Sequence, residues 1–165
     1  MDHHRDYREQ LNIALASLDL ERVAQVRQVL AVAFEEERQV FLCGNGGSAA
    51  TASHMANDLG KGASLGQAKR FKVLALTDNV SWMTAVANDI SYEAIFAEQL
   101  KNYGRPDDVL IVISGSGNSQ NVLNAVAAAK EIGMTTVGWS GFGGGKVAAM
   151  VDVALVVDSH HMGRV

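Results

Sequence analysis

Apolar positions along the chain fall into two patterns that alternate from one segment to the next. Over residues 5–17 and 20–37 they recur at the spacing of amphipathic helices. Beyond residue 37, short runs that are apolar throughout alternate with stretches of helical character. The short runs predict strands at Val40–Cys43, Phe71–Leu76, Val109–Ile113, Thr135–Trp139 and Val153–Val157. The stretches between them predict helices over 48–59, 80–87, 91–102, 119–131 and 145–150.

This alternation predicts the fold class. Strands that are apolar throughout are typical of a parallel sheet whose two faces are both covered by helices. Right-handed crossovers then give a doubly wound three-layer α/β domain, here a single domain with a five-stranded parallel sheet. We expect a helical hairpin over 1–37 and the α/β core over 38–157, and we interpret 158–165 as the truncated start of a C-terminal segment.

Composition narrows the classes of function. The 165 residues carry a formal net charge of −4, with acidic and basic residues mixed, so the chain lacks the basic patch that nucleic-acid binding needs. No apolar run reaches the length of a membrane span, which predicts no membrane partner. The single cysteine, Cys43, allows no disulfide within one chain and fits a cytoplasmic location. We interpret Cys43 as a small buried strand residue and not as a nucleophile.

Two loops of unusual composition follow predicted strands and open predicted helices, which is where doubly wound domains bind ligands. The first, Gly44–Ser48, has three glycines that let the backbone approach a ligand closely, next to the unpaired N–H groups of a helix start. The second, Ser114–Ser119, carries three hydroxyls that can surround a phosphate, since each hydroxyl donates a hydrogen bond while staying neutral.

The alternative interpretation is that each loop is only a turn with a helix cap. Two such loops at equivalent strand ends favour phosphate binding over that alternative. Neither loop has the Gly-Lys-Ser/Thr ending of a nucleotide-binding P-loop, and neither completes a dinucleotide-binding glycine pattern. We therefore expect a small phosphorylated ligand and no nucleotide cofactor.

Taken in order, the two loops resemble the paired signatures of SIS (sugar isomerase) domains. The similarity extends to the phosphoheptose isomerase and DiaA-like branch through Asp78–Ser81, Ala87–Asp89, Val122–Gly133 and Gly143–Lys146. It covers nearly the whole chain, from the amino-terminal helices to about Val157.

The resemblance implies a set of roles and a reaction. The sugar phosphate would be lined by Asn45, Gly46, Gly47 and Ser48. Its phosphate would be held by Ser114, Ser116 and Ser119 with the backbone of Gly115, and its hydroxyls would meet Asn88 and Asp89. The family reaction is an aldose–ketose isomerisation of sedoheptulose 7-phosphate, carried out by homotetramers with sites at subunit interfaces, and several members bind zinc.

His54 and Asp58 are four residues apart, so they share one face of the predicted helix and could form a metal pair or an acid–base pair. From spacing alone, a core or interface histidine and a surface aspartate remain the favoured interpretation. The resemblance instead implies that His54 is a zinc ligand and that Asp58 is both a ligand and the catalytic base. The family has glutamate at this position, and a displacement of about 1 Å costs on the order of 10²-fold in rate.

Two further departures concern the ligand and the end of the chain. The family more often has threonine at the position of Gly115, which suggests an altered ligand. The family also continues beyond Val165 with a helix that supplies a glutamine and a histidine to the site, and we do not expect His160 and His161 to replace them as a pair.

Three functions stay open at this point. The leading hypothesis is a phosphosugar isomerase in which Asp58 moves a proton between adjacent carbons through an enediol. The carbonyl would be polarised by zinc on His54 or by a residue after Val165. The alternatives are a non-catalytic SIS regulator that binds a sugar phosphate, favoured by Asp58 and Gly115, and a DiaA-like protein that associates with the replication initiator DnaA.

Overall fold

Five parallel strands form one sheet in the computed structural model, which describes residues 2–165. The strands are β1 Gln39–Gly44, β2 Lys72–Ala75, β3 Val109–Ser114, β4 Thr135–Ser140 and β5 Val153–Val156. Their order across the sheet is β2-β1-β3-β4-β5, and every neighbouring pair is parallel. The predicted fold class, a doubly wound parallel α/β sheet preceded by a helical hairpin, is confirmed.

Helices connect the strands and cover both faces of the sheet. They are α1 His3–Ala16, α2 Leu20–Glu35, α3 Gly47–Asn57, α4 Val80–Asp89, α5 Ala97–Tyr103, α6 Gln120–Ile132 and α7 Gly145–Met150. A π-helical turn, Asp58–Gly62, extends α3, and 3₁₀ turns occur at Tyr92–Ala94 and Met162–Arg164. Within the described residues, none of the helices has the length and apolar content that crossing a membrane requires.

The predicted helix over 91–102 is divided in the structure. A 3₁₀ turn ends at Ala94, and α5 begins at Ala97. The side chain of Gln99 is 1% exposed, and its Nε2 donates to the carbonyls of Ile95 at 2.8 Å and Leu76 at 3.0 Å. The buried Gln99 amide therefore stabilises the break. One of its two partners, the Leu76 carbonyl, follows β2 and is distant in sequence, so local helix propensity does not predict this contact.

The sheet separates two apolar clusters. The cluster beneath α4, α5 and α6 includes Phe41, Phe96 and Leu110, whereas that beneath α2 and α3 includes Leu42 and Ile111. Successive residues of β1 and β3 thus point to opposite faces, as they do in any strand. Both faces are buried, which explains why these strands are apolar at every position.

Cys43 lies near the end of β1 and is fully buried. Burial disfavours the charged thiolate, so the pKa of the thiol is raised well above its usual range. Because the nucleophile in cysteine chemistry is the thiolate, this environment fits the predicted role of a small core residue.

Asp152 links the beginnings of β4 and β5 to α6. Its ionisation should make the free energy of unfolding depend on pH. Burial raises its pKa, but hydrogen bonds from Thr136 and the ion pair with Lys130 outweigh burial, so the net shift is downward. Thr136 donates from its N–H and its hydroxyl to Oδ2, at 2.8 and 2.7 Å. A group with a lowered pKa stabilises the fold above its unfolded value and loses that contribution as pH falls through its folded value.

We expect the free energy of unfolding to fall as pH drops below about 4, the ordinary pKa of aspartate. The Asp152→Asn variant should have a lower free energy of unfolding at pH 7, and this free energy should change less than in the wild type as pH drops below about 4. Urea unfolding at pH 7 and pH 3 measures this. Asp107→Asn is the matched control, because Asp107 is exposed and lies 3.5 Å from Arg38. Equal pH profiles for wild type and Asp152→Asn would contradict the prediction.

Candidate functional site

The two glycine- and serine-rich loops lie side by side at one edge of the sheet. β1 pairs directly with β3, and Gly44 lies opposite Ile113 at the carboxyl end of both strands. After β1 the chain turns towards β2, whereas after β3 it turns towards β4, so the strand order reverses between them. This reversal opens a crevice at the carboxyl ends, the usual ligand position in such sheets.

The first loop presents open backbone to this crevice. Gly46 has a positive φ of 54°, and a Cβ added at Gly46 or Gly47 would contact nothing within 4 Å. α3 begins at Gly47, so its first N–H groups and the positive end of its dipole lie at the open surface. The loop can therefore receive an anion or sugar oxygens on backbone donors.

The side chain of Asn45 is held firmly within this loop. Its Nδ2 donates to Asn121 Oδ1 at 2.9 Å, and Asn121 Nδ2 donates back to Asn45 Oδ1 at 2.8 Å. The hydroxyl of Tyr92 donates to the same Asn45 oxygen at 2.9 Å. Asn45 thus contributes to the crevice through its backbone and one remaining side-chain N–H, since both lone pairs of its oxygen are taken.

The second loop brings hydroxyls to the start of α6. Ser114 is nearly buried, and its Oγ lies 3.4 Å from the Oγ of Ser119. Ser119 is the N-cap of α6, yet its side chain makes no capping hydrogen bond. Ser116 is exposed and accepts a hydrogen bond from the N–H of Asn118 at 3.3 Å. The hydroxyls of Ser116 and Ser119 are therefore available to donate to an anion.

The shape of the second loop depends on its packing against the glycines before α7. Gly117 has a φ of +64°, and a Cβ placed there would overlap the carbonyl oxygen of Gly144. The N–H of Val147 donates to the Gly117 carbonyl at 3.0 Å. The N–H of Lys146 donates to Asn118 Oδ1 at 3.2 Å. The loop is thus fixed from behind while its hydroxyls face outward.

A cavity of about 520 Å³ borders both loops. Asn45, Gly47 and Ser48 of the first loop line it together with Gly115 of the second loop. Trp139 lies in its apolar wall. A smaller cavity of about 400 Å³ lies on the other side of the first loop, against Tyr92 and α4. The first loop therefore has open volume on both sides.

The space next to Gly115, which has no side chain, is occupied by the side chain of Met162. A Cβ at this position would lie 3.2 Å from both Sδ and Cε of Met162. The segment that carries Met162 is attached to α1, because the hydroxyl of Tyr7 donates to the Gly163 carbonyl at 2.5 Å. The methionine thus fills the space where a threonine side chain would project, and this contact between distant segments could not be predicted from local pattern.

His54 and Asp58 do share one face of α3, and His54 Nε2 lies 3.5 Å from Asp58 Oδ2. Their side chains are 75% and 64% exposed. An α-helix rises 1.5 Å per residue, so Asp58 lies roughly 16 Å along the axis from Gly47 at its start. Within one chain, Asp58 is therefore about three helical turns away from the glycine loop at the start of α3.

The pair also bears on the predicted zinc. Zinc is usually held by three or four protein ligands. Among residues 2–165, no group of three or more histidine, cysteine, aspartate and glutamate side chains could hold a metal ion. His54 and Asp58 thus supply at most two ligands, and the described residues of one chain do not form a complete zinc site.

Asn88 and Asp89, predicted to contact sugar hydroxyls, end α4 at the surface. Both are exposed, and Asn88 Nδ2 donates to Asp89 Oδ1 at 2.7 Å. They precede Tyr92, which contacts Asn45, but neither lines the two cavities that border the first loop. The structure therefore places them near the loop without bringing them into its crevice.

The chain thus has two donor-rich loops at the strand-order reversal of a doubly wound parallel α/β domain. The chain belongs to the SIS domain family, whose model matches residues 6–141.

Comparison with individual proteins shows which group of the SIS family this chain resembles. A phosphoheptose isomerase of Rhodospirillum rubrum is 43% identical over 137 residues, which are 83% of this chain and 72% of that protein. The structure of phosphoheptose isomerase GmhA from Neisseria gonorrhoeae matches with a TM-score of 0.88 at 35% identity, covering 98% of this chain and 86% of that one. A phosphoheptose isomerase from Francisella tularensis matches with a TM-score of 0.90 at 31% identity, covering 99% and 88%.

The chain is therefore a member of the phosphoheptose isomerase group of SIS domains. This confirms the resemblance on which the sequence analysis relied. It also confirms the predicted enzyme class, an aldose–ketose isomerase.

Proposed function

We propose that this chain isomerises sedoheptulose 7-phosphate to D-glycero-D-manno-heptose 7-phosphate, or acts on a closely related ketose and aldose phosphate. The observation that carries this proposal is the adjacency of the two loops at the β1/β3 reversal, with Gly44 opposite Ile113. The similarity of this chain to phosphoheptose isomerases supports the choice of a heptose phosphate as the substrate.

The serine loop would hold the phosphate. Ser116 and Ser119 offer hydroxyl donors, Ser114 lies behind Ser119, and the N-terminus of the 13-residue α6 adds a partial positive charge. These donors are neutral, so no lysine or arginine has to be desolvated in the site. An anion can therefore bind here although the net charge of the chain is −4. The backbone of Gly46 and Gly47 would then receive sugar oxygens from the other side of the crevice.

Asp58 is proposed as the base. It would remove a proton from the carbon next to the ketose carbonyl, giving an enediol, and return it to the former carbonyl carbon while a hydroxyl proton moves between the two oxygens. Asp58 lies roughly 16 Å along α3 from the start of the helix, so the Asp58 that serves one pair of loops would come from another copy of the chain.

A homotetramer is proposed on the same grounds. Exposed apolar side chains on the hairpin support contacts between copies, among them Ile13 at 59%, Leu15 at 58% and Leu20 at 75% exposure. Zinc stays a prediction: His54 and Asp58 could contribute two ligands to a site completed by groups from elsewhere. A cytoplasmic location is likewise proposed from the single buried cysteine.

A non-catalytic sugar-phosphate-binding regulator is the second candidate. The observations that favour it are the shorter carboxylate at Asp58 and the distance of Asp58 from the loops of its own chain. Turnover of sedoheptulose 7-phosphate by the purified protein separates the two functions. Thermal stabilisation by the sugar phosphate without turnover would establish the regulator instead.

Ser119→Ala is expected to weaken substrate binding more than chemistry. Losing one hydrogen bond to a charged phosphate costs about 1.5–3 kcal/mol, which corresponds to a rise in KM on the order of 10- to 100-fold. Steady-state kinetics on sedoheptulose 7-phosphate gives KM and kcat separately. Ser81→Ala is the control, because Ser81 is exposed on α4. An unchanged KM in Ser119→Ala would remove the serine from the phosphate site.

A further inference from the structure

One buried side chain outside the two loops connects them. Asn121 lies in the first turn of α6, two residues after Ser119, and is 2% exposed. Its amide forms the reciprocal pair with Asn45, at 2.9 and 2.8 Å, across 76 residues of sequence. Asn121 therefore joins the helix that begins at the serine loop to the side chain of the glycine loop.

The chemistry of this pair is specific for amides. Each partner both donates and accepts, which a carboxylate or an apolar side chain of similar size cannot do. Asn121 Oδ1 also accepts from the N–H of Val122 at 3.0 Å, and Tyr92 donates to Asn45 Oδ1 at 2.9 Å. Both amide oxygens are therefore fully used, which fixes the rotamer of each side chain.

The glycine loop needs such an external restraint. Gly46 and Gly47 have no side chains, and nothing packs above them within 4 Å of where a Cβ would lie. Glycine backbones sample more conformations than others, so the position of these N–H groups depends on what holds their neighbours. Asn45 is the neighbour, and Asn121 and Tyr92 hold it from two directions.

We infer that Asn121 and Tyr92 are positioning residues of the sugar-phosphate site. Through Asn45 they set where the backbone donors of the glycine loop lie relative to the hydroxyls of the serine loop. This inference rests on the proposed function for its kinetic consequences. The restraint on the loop itself does not require turnover.

The experiment compares Asn121→Asp and Tyr92→Phe with two matched controls. Asn102→Asp makes the same amide-to-carboxylate change at an exposed asparagine near the end of α5. Tyr103→Phe removes a hydroxyl from a tyrosine that stacks on Trp82. Tyr92 is 56% exposed, so Tyr92→Phe should fold even if Asn121→Asp is too unstable to purify.

We expect kcat to fall on the order of 10- to 100-fold in Asn121→Asp and about 3- to 10-fold in Tyr92→Phe, since misplacement by about 1 Å costs on the order of 10²-fold. In Tyr92→Phe, which introduces no charge, the Kd for inorganic phosphate, measured by calorimetry, should stay within about twofold because the serine hydroxyls are intact. Both controls should match wild type. If Asn121→Asp and Tyr92→Phe lower only the melting temperature and leave kcat unchanged, the two residues are structural and the inference is overturned.

A second readout separates this inference from the proposed function. Amide hydrogen exchange at Ser48, whose N–H donates to the Asn45 carbonyl at 3.0 Å, should be faster in Asn121→Asp and Tyr92→Phe than in the controls, whether or not the protein turns over a sugar phosphate. Faster exchange without turnover in wild type would retain the restraint and reject the isomerase. Unchanged exchange in both variants would reject the restraint itself.

A double variant tests whether Asn45 and Asn121 act together. The kcat of Asn45→Ala/Asn121→Ala should be no lower than that of the less active of its two single variants, Asn45→Ala and Asn121→Ala, because both side chains act through one contact.

Discussion

Asparagine in place of Asp58 is expected to lower kcat for sedoheptulose 7-phosphate by about 10²- to 10⁴-fold, the usual contribution of a general base. The amide has nearly the same shape but takes up no proton at neutral pH. Binding should largely survive, because the phosphate would be held by the serine loop and the start of α6, which the substitution does not touch. Stability should also survive, since the Asp58 side chain is 64% exposed. Steady-state kinetics, with melting temperature as the check on folding, measures these effects.

Asp107→Asn is the matched control, since it removes an exposed carboxylate at the opposite end of the sheet, next to Arg38. Asp58→Glu adds one methylene, giving the residue that the family resemblance implies at this position, and should retain turnover. If Asp58→Asn keeps the wild-type rate, the base lies elsewhere and the proposed mechanism is wrong.

Alanine at Gly117 is expected to have the largest effect on stability of any single change in the site. The residue has a φ of +64°, which an L side chain adopts only with strain, and the added Cβ would overlap the Gly144 carbonyl. Neither backbone can move away, because Val147 and Gly117 are hydrogen-bonded at 3.0 Å. We expect a loss of about 3 kcal/mol or more in the free energy of unfolding, measured by urea denaturation.

The neighbouring Gly115→Ala variant provides the contrast. Its Cβ would meet the thioether end of Met162 at 3.2 Å, which can rotate aside, and Val165 at 4.0 Å, an ordinary contact distance. We expect a change of less than about 1 kcal/mol there. Similar losses at Gly115 and Gly117 would mean that the conformation of the loop is not fixed from behind by the glycines before α7.

The elements and the position of the site could be predicted because the signals are local. Apolar runs such as Val109–Ile113 identify buried strands, and hydroxyls and glycines directly after such a run mark a ligand loop. What could not be predicted depends on partners far away in sequence. The break before α5 requires Leu76 as an acceptor for Gln99, and the filling of the space above Gly115 requires the segment of Met162.

The site residues that sequence reasoning missed have the same explanation. Asn121 and Tyr92 are polar residues next to a helix start and a turn, where asparagine and tyrosine are unremarkable. Their importance comes from meeting Asn45, 76 and 47 residues away. A polar residue directly before the apolar pair Val122 and Leu123 in the first turn of α6 was the one available signal. The relation of His54 and Asp58 to the loops was unpredictable for another reason, since in the proposed homotetramer it would depend on contacts between copies.

The buried thiol described in β1 has a consequence for how the protein withstands oxidants. Peroxides and glutathione disulfide attack cysteines that are ionised and accessible. Cys43 is the single cysteine of the chain, and it is neither, being fully covered and having a raised pKa. The strand that ends at the glycine loop can therefore keep its shape under oxidative stress, and the folded chain offers no thiol through which a cell could switch the site on or off.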